Sequence, residues 1–443
     1  MNIVDYLLDG RANSEKDFIL NPSEKISFKE LTRRVASLTE GFYCHVGTGQ
    51  KIILIGKNST EFIIAYLATM KSGNVCVPLD PQIKQSELDY IVEQVKSVTI
   101  FIFGKTKLKA KSYPYRSTPP EDKDLAQILF TSGSTGRPKG VKLSHQNLIA
   151  NTKAIIHSLR LTQEDVMCAT LPFHYCYGLS VLHTHLRVGA SMVLNNSFVF
   201  FGKLISDLLE YECTGLAGVP SHFQMLLRKS TSFSKTSFPA LRYITQAGGK
   251  LFDGCIVELK GYFPDALIYI MYGQTEATAR LTCLAPGSLL AKLGSVGKPL
   301  QGVRIKIERE EILAKGESIM MGYLNEPPLE GGWLHTGDLG YLDNEGFLYI
   351  TGRKKEMIKV LGKRVSPKEI EEVILKVDPV IDCQVKGAPD EITGEAVKAF
   401  VIIDNNKSDE YTCKKNILAA CKVFLPDYKI PSQIEFVNKL NKK

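Results

Sequence analysis

Thr131-Ser132-Gly133-Ser134-Thr135-Gly136-Arg137-Pro138-Lys139-Gly140 decides how this chain is read, because it places four hydroxyls, three glycines and a lysine within ten residues. Such a run offers little to a core and much to a polyphosphate. Glycines let backbone amides converge on one anion, hydroxyls add donors and the lysine adds a compensating charge. The apolar residues 125–130 ahead of it read as a buried strand and residues 141–144 behind it as a second, so the loop joins two strands. A Walker A loop would carry a second glycine, a Ser or Thr after its lysine, and a helix. Here Pro138 takes the glycine position, Gly140 follows Lys139 and a strand comes next. The alternative is a surface turn of small polar residues; ten consecutive matching positions favour the phosphate loop.

At 443 residues the chain has room for two or three domains and a sizeable core. Its 44% hydrophobic and 23% charged content is that of an ordinary globular protein. No charge-free run reaches membrane-span length, and residues 1–10 carry two aspartates and no basic segment. A cytoplasmic enzyme without an integral membrane segment is expected. The ten cysteines lack any C-x-x-C pair, which argues against a disulfide framework or structural zinc and for reduced, mostly buried thiols. The net charge of +8 fits either anionic substrates or a lysine-rich surface. No aromatic interleaving marks a nucleic-acid groove, so no nucleic-acid partner is expected.

Outward from the loop, the chain alternates helix and strand. Leu31, Val35 and Leu38 share a helical face, residues 51–55 read as a short buried strand, 61–71 as a helix and 75–78 as a strand. The pattern returns in a helix over 144–159 and again through 205–219, which makes the fold α/β. Residues 116–123 read as an exposed linker. Near Gly352 a strand over 347–351 runs into Arg353, Lys354, Lys355 and Glu356, and a boundary there divides the chain into 1–352 and 353–443. The second part reads as a small α+β unit. Its helix over 366–377 carries a capping box of Ser366 and Glu369 with Pro367 at the first position, followed by strands over 380–386 and 397–403 and a helix over 418–424.

Two further clusters carry chemistry. Tyr272-Gly273-Gln274-Thr275-Glu276 follows an apolar strand, and strand ends in α/β sheets are where ligands bind. Tyr272 can stack on a purine, Thr275 can donate to a phosphate oxygen and Glu276 can hold magnesium beside a polyphosphate, although a loop glutamate is more often simply solvated. In His335-Thr336-Gly337-Asp338, Asp338 can accept the hydroxyls of a ribose or merely form a turn, and Arg353 can add a forked donor or be surface charge.

In this order the elements resemble the adenylate-forming superfamily of acyl- and aryl-CoA synthetases, luciferases and peptide-synthetase adenylation domains, over nearly the whole chain. Residues 131–140 match its phosphate loop, 272–276 its Tyr-Gly-x-Thr-Glu motif, 336–338 its Thr-Gly-Asp, and 352–366 its hinge and thiolation loop. The resemblance implies a large N-terminal adenylate-forming domain of mixed sheets and helices and a small mobile α+β C-terminal domain. It implies an ATP-dependent ligase that activates a carboxylic acid as acyl-AMP, with Mg2+, and passes it to CoA. Delivery to the phosphopantetheine of an acyl or peptidyl carrier protein is the close alternative, and a degenerate, non-catalytic nucleotide- or acyl-binding protein is another. Catalytic roles fall to Lys139, Thr275 and Glu276, the last also holding the metal. ATP and AMP contacts fall to Thr131, Ser132, Gly133, Ser134, Thr135, Gly136, Gly248, Gly249, Tyr272, Gly273, Asp338 and Arg353. Lys355 is the implied hinge and Gly362 lies on the loop at the thiol tunnel.

Residues 171–179, with His174, Tyr175 and Cys176, resemble the acid-pocket segment, and His222 belongs to a weaker match. Amino-acid adenylation domains carry an aspartate in this segment for the α-ammonium; here it holds no carboxylate. An ammonium buried without counter-charge would cost several kcal/mol, so the expected acid lacks an α-amino group and is fatty, branched or aryl. Two departures stand out. Residues 305–322 are expected to be short of a hairpin that many members have. Members also continue to a Gly-Lys lysine beyond the point where this sequence reaches Lys442 and Lys443, so the expectation is either that the C-terminal domain is truncated at its end, or that Lys442 or Lys443 substitutes, or that the first half-reaction is slow.

Overall fold

The computed structural model describes residues 1–96, 99–103, 109–112 (backbone only), 124–131, 137–198, 200–390, 394–404, 407 and 409–440. Loop residues 132–136, linker residues 116–123 and the terminal residues 441–443 lie outside the described residues.

Among the described residues, four sheets organise the chain. The strand Lys51–Ile55, an unbroken run of apolar residues after its first lysine, pairs in parallel with Val75–Leu79 and Thr99–Ile102. Strands buried on both faces need no polar alternation. The seven-stranded sheet continues through Leu125–Thr131, its antiparallel partner Lys139–Ser144, and the two-residue strand Gly322–Tyr323 at the edge. In the nine-stranded sheet, Leu267–Tyr272, Tyr243–Gln246, Gly215–Gly218, Val166–Ala169 and Ser191–Leu194 run parallel as neighbours. The helix Thr60–Lys71 is apolar nearly all round and correspondingly buried, while Ser59 accepts a hydrogen bond from the Phe62 amide at its start. The helix His145–Leu159 opens on a capping box between Ser144 and Asn147.

The molecule is thus α/β with a large N-terminal part and a smaller C-terminal one. Val303–Glu308, Glu311–Gly316, Leu334–Leu342 and Leu348–Arg353 form an antiparallel four-stranded sheet between them. In this sheet Val303–Glu308 and Glu311–Gly316 form a hairpin. Arg309 and Glu310 both adopt left-handed backbone, at φ 49° and 67°, and with neither a glycine nor an asparagine the turn carries no sequence signal. From Ile358 to Leu425 a separate apolar cluster packs under the sheet of Ile358–Val360, Lys363–Val365, Val380–Asp390, Gly394–Ile403 and Gln433–Phe436. An ion pair between Lys250 and Glu372 joins this unit to the large one.

The expected capping box at Ser366 is not made. The Ser366 hydroxyl donates instead to the Thr351 carbonyl at 2.6 Å, and Glu369 turns away to pair with Lys429 at 2.6 Å. The helix spans only Pro367–Ile374, and its serine fastens the unit to the strand Leu348–Arg353. A partner from outside the helix outcompetes the local one. All ten cysteines are free thiols, most of them buried, and among the described residues no helix is long and apolar enough to cross a membrane.

Two histidines of the helix Cys176–Val188 are buried neutral. His183 meets the Tyr66 hydroxyl at 2.8 Å and His185 the Tyr243 hydroxyl at 2.9 Å, and burial pushes their pKa values down to about 3 and about 4. In the unfolded chain both titrate near pH 6.5. As pH falls below that value the unfolded state takes up protons that the folded state refuses, so stability is full above about 6.5 and declines toward 4, by roughly 1.4 kcal/mol per histidine per pH unit. Urea unfolding should show a lower midpoint at pH 5.5 than at pH 7.5; an unchanged midpoint would contradict the buried neutral state.

Candidate active site

Strand register brings distant segments to one edge of the nine-stranded sheet. Gly218 lies opposite Gln246 and Gln246 opposite Ile270, so the segments that follow these strands emerge together at their C-terminal ends. Gly248, at φ +83°, and Gly249 sit there exposed, and a Cβ on either would come within 3.2 Å of Val219 or Pro220, the residues leading to His222. Buried Gln246 Oε1 and Gln274 Nε2 have no hydrogen-bond partner among the described residues. Unsatisfied buried polar groups are rare and mark places where a ligand or water completes the pairing.

Tyr272 to Glu276 leaves this edge as a tight turn. A Cβ on Gly273 would stand 1.9 Å from the Ala279 carbonyl oxygen, so the chain folds back on itself as only glycine permits. The Leu281 amide donates to the Tyr272 carbonyl at 2.8 Å and closes the loop. Thr275–Ala277 form a single 3-10 turn, from which the Thr275 hydroxyl donates to Cys176 Sγ at 3.5 Å and Glu276 accepts from the Tyr323 hydroxyl at 3.0 Å. Lys139 Nζ lies 4.9 Å from the centroid of the same Tyr323 ring and 2.6 Å from Glu326. Lys139 and Glu276, 137 positions apart in sequence by their numbering, therefore flank one phenol. The sequence reading missed Tyr323 and Glu326. Nothing local marks them; the pairing of Tyr323 with Val141 delivers them.

A second cluster joins Tyr272, Asp338 and Arg353. The Tyr272 hydroxyl donates to Asp338 Oδ2 at 2.7 Å, and Arg353 Nε lies 3.2 Å from Oδ1, across a register that pairs Asp338 with Arg353. Burial, with the Asp338 carboxylate next, pushes the Tyr272 phenol well above its usual range. Thr336 steers the aspartate: its hydroxyl donates to the Ile312 carbonyl at 2.6 Å and accepts from the Asp338 amide at 3.1 Å.

The remaining candidates lie on the segments that follow neighbouring strands and at the start of the C-terminal unit. His174 Nε2 lies 3.5 Å from Asp80 Oδ2, at the end of a strand of the other sheet, and packs on the half-exposed Tyr175 ring at 4.3 Å. Burial lowers the His174 pKa and Asp80 opposes it. The Cys176 thiol is pushed up, chiefly by burial, and stays protonated. His222 stacks on Phe198 at 3.8 Å, and burial lowers its pKa to about 4. Lys355 and Gly362 are exposed at the start of the C-terminal unit, the latter in a turn at φ +75°. Asp80 and Phe198, like Tyr323, are contributed by the fold. Among the described residues no group of three or more His, Cys, Asp or Glu side chains could hold a metal. A lone carboxylate at Glu276 still fits Mg2+, which keeps several waters and rides on phosphates with one or two protein carboxylates.

The family model described as AMP-binding enzyme matches residues 9–116 and 104–324, and that of the AMP-binding enzyme C-terminal domain matches residues 369–443. The chain is 31% identical over 453 aligned positions to a 2-succinylbenzoate–CoA ligase of Bacillus cereus, covering 94% of this chain and 90% of that protein. ATP-bound MatB from Rhodopseudomonas palustris superposes with a TM-score of 0.88 at 26% identity, over 100% of this chain and 96% of that one. The o-succinylbenzoate CoA synthetase of Bacillus subtilis, in complex with the acyl-adenylate intermediate OSB-AMP, superposes with a TM-score of 0.85 at 26% identity, over 100% and 95%.

Gly273→Ala should test the turn. Its methyl would meet backbone rather than a movable side chain, so the variant is expected to lose about 1–3 kcal/mol of stability. Differential scanning calorimetry showing an unchanged unfolding temperature would refute the close approach.

Proposed function

The chain belongs to the AMP-binding enzyme family, and from that premise we propose that it is an ATP-dependent acid–thiol ligase acting on a carboxylic acid without an α-amino group. It uses ATP and Mg2+ to form an acyl-adenylate and CoA to release it as a thioester. The observation that carries this reading is the convergence of Lys139, Glu276, Tyr272, Asp338 and Arg353, from four separated segments, into two linked clusters at one end of the parallel strands. Relatives named 2-succinylbenzoate–CoA ligases support an aryl acid, and the absence of any carboxylate from residues 171–179 supports an acid without an α-amino group.

In the first step an acid oxygen attacks the α-phosphorus of ATP, the bond to the bridging oxygen breaks and pyrophosphate leaves. Two anions meet, so cationic and hydrogen-bond donors must offset the charge that develops. Lys139, Thr275 and the loop of Thr131, Ser132, Gly133, Ser134, Thr135 and Gly136 take that role, and Tyr272, Gly273, Gly248, Gly249, Asp338 and Arg353 hold the nucleoside end. Glu276 would hold Mg2+, which would offset phosphate charge when bound. In the second step the thiol sulfur attacks the acyl carbon, the bond to the AMP oxygen breaks and the thiol proton leaves to solvent. His174, Tyr175, Cys176 and His222 line the acid's side. We take 1–352 as the adenylation domain and 353–443 as the small domain, which turns at Lys355 to bring Gly362 to the thiol. The protein works in the cytoplasm.

Purified protein incubated with ATP, Mg2+, a panel of acids and either CoA or a holo-carrier protein should yield AMP, pyrophosphate and acyl-CoA. Thioester on the carrier alone would favour carrier loading, and the lack of acid-dependent pyrophosphate exchange with every acid would favour a non-catalytic binder. Lys139→Ala and Glu276→Gln should each slow exchange by about a hundred- to thousandfold; rates within twofold of the parent would refute their roles.

A further inference from the structure

Arg280 carries a charge that the fold does not balance. It lies four residues beyond Glu276, where the chain returns from the Gly273 turn into the strand Thr282–Leu284, and it is only 2% exposed. A guanidinium does not deprotonate in proteins, and buried charges are paired with a counter-charge. Buried carboxylates in this fold follow that rule: Asp165 receives the fork of the partly exposed Arg242 at 2.7 Å and Asp338 meets the exposed Arg353. Among the described residues Arg280 has no such carboxylate. The polar neighbours that act on it are Tyr177, Cys176 and Cys283, and its Nε has no hydrogen-bond partner.

What it has is a ring. The guanidinium carbon sits 3.8 Å from the centroid of Tyr177, whose hydroxyl is fixed by the carbonyl and hydroxyl of Thr245 at 2.9 and 3.0 Å. The Arg280 carbonyl accepts from Asn151 Nδ2 at 2.9 Å, so the backbone is held as well. Stacking on tyrosine offsets only part of the cost of burying the ion. The difference needs an anion. Tyr177 follows Cys176, whose sulfur receives the Thr275 hydroxyl and which itself acts on Arg280, so the guanidinium without a carboxylate partner lies beside the acid-side candidate Cys176. Stacking and a hydrogen bond to Tyr177 occupy part of the guanidinium, and the unpartnered Nε leaves an edge donor for a carboxylate.

We propose that Arg280 is the anchor for a second carboxylate on the acid substrate, so that the enzyme selects diacids whose one carboxylate is adenylated beside Thr275 and Glu276 while the other pairs with Arg280 on the tyrosine ring. The assignment rests on the acid–thiol ligase reading above. It explains why a permanent cation stands among residues otherwise suited to an uncharged aryl group.

The test is pyrophosphate exchange by the full-length protein with paired acids differing by one carboxylate: 2-succinylbenzoate against 4-oxo-4-phenylbutanoate, adipate against hexanoate, malonate against acetate. A diacid should exceed its partner by at least about 100-fold in kcat/KM, since a site built for a polar group rejects the analogue lacking it. Arg280→Gln should raise the KM of that diacid by about 100-fold, leave the KM of ATP within threefold, and bring the ratio between paired acids close to one. Arg280→Lys, which keeps the charge and loses the fork, should fall between. Parent enzyme that prefers the monoacid of every pair, or an Arg280→Gln variant that folds and keeps the diacid preference, would overturn the assignment and leave the ligase reading standing. Should Arg280→Gln fail to fold, the preference of the parent and of Arg280→Lys decides. Exchange with no acid at all would bring down both.

Discussion

The Tyr272 hydroxyl donates to Asp338 across 2.7 Å, with both residues buried, and this contact ties the large parallel sheet to the four-stranded sheet that leads into the C-terminal unit. Breaking one partner of a buried hydrogen bond to a carboxylate leaves the other unsatisfied, which costs more than the bond itself returns. The geometry around it is correspondingly overdetermined. Gly273 permits the turn that follows Tyr272, Thr336 fixes the Asp338 backbone, and the register between Asp338 and Arg353 places the arginine. Beyond Arg353 the chain passes to the strand Ile358–Val360, and the Ser366 hydroxyl reaches back to the Thr351 carbonyl. The nucleoside end of the site and the entry to the small unit share one support.

Charges are held in two different ways. Lys139 pairs with Glu326 at the surface, with side chains 35% and 42% exposed, and such a pair is worth about 1 kcal/mol or less. It can be exchanged for a phosphate at small cost. Glu276, on the far side of Tyr323, is tied by a single hydroxyl contact. Arg280 is the opposite case, a fixed charge whose cost is met only by a partner brought in from outside. A site that must receive ATP, an acid and a thiol in turn is served by exchangeable contacts at the phosphates and a permanent one at the acid.

How much of this was legible depended on whether the signal was local. The strand Lys51–Ile55 was read to the residue because a buried parallel strand is a continuous apolar run. Lys139, Tyr272, Glu276, Asp338 and Arg353 were found because each sits in a consecutive motif, with residue types dictated by the chemistry. Tyr323, Asp80 and Phe198 were not, since sheet pairing and packing between distant segments bring them in. Ser366 misled because local capping rules describe the partner within the helix, whereas the Thr351 carbonyl was available across the junction. Arg280 did leave a trace, as the one charge between Ala277 and Leu284. Its meaning needed the burial and the missing counter-charge.

An acid oxygen that attacks the α-phosphorus of ATP at this site stays on that phosphorus. Supplying an accepted acid labelled with 18O in its reacting carboxylate, with ATP, Mg2+ and thiol, and reading the products by mass spectrometry tests that claim most directly. The account predicts one 18O in each AMP and none in pyrophosphate, because thiolysis breaks the acyl carbon–oxygen bond and leaves the acid's oxygen on the phosphorus. Label in inorganic phosphate with ADP as the coproduct would contradict it.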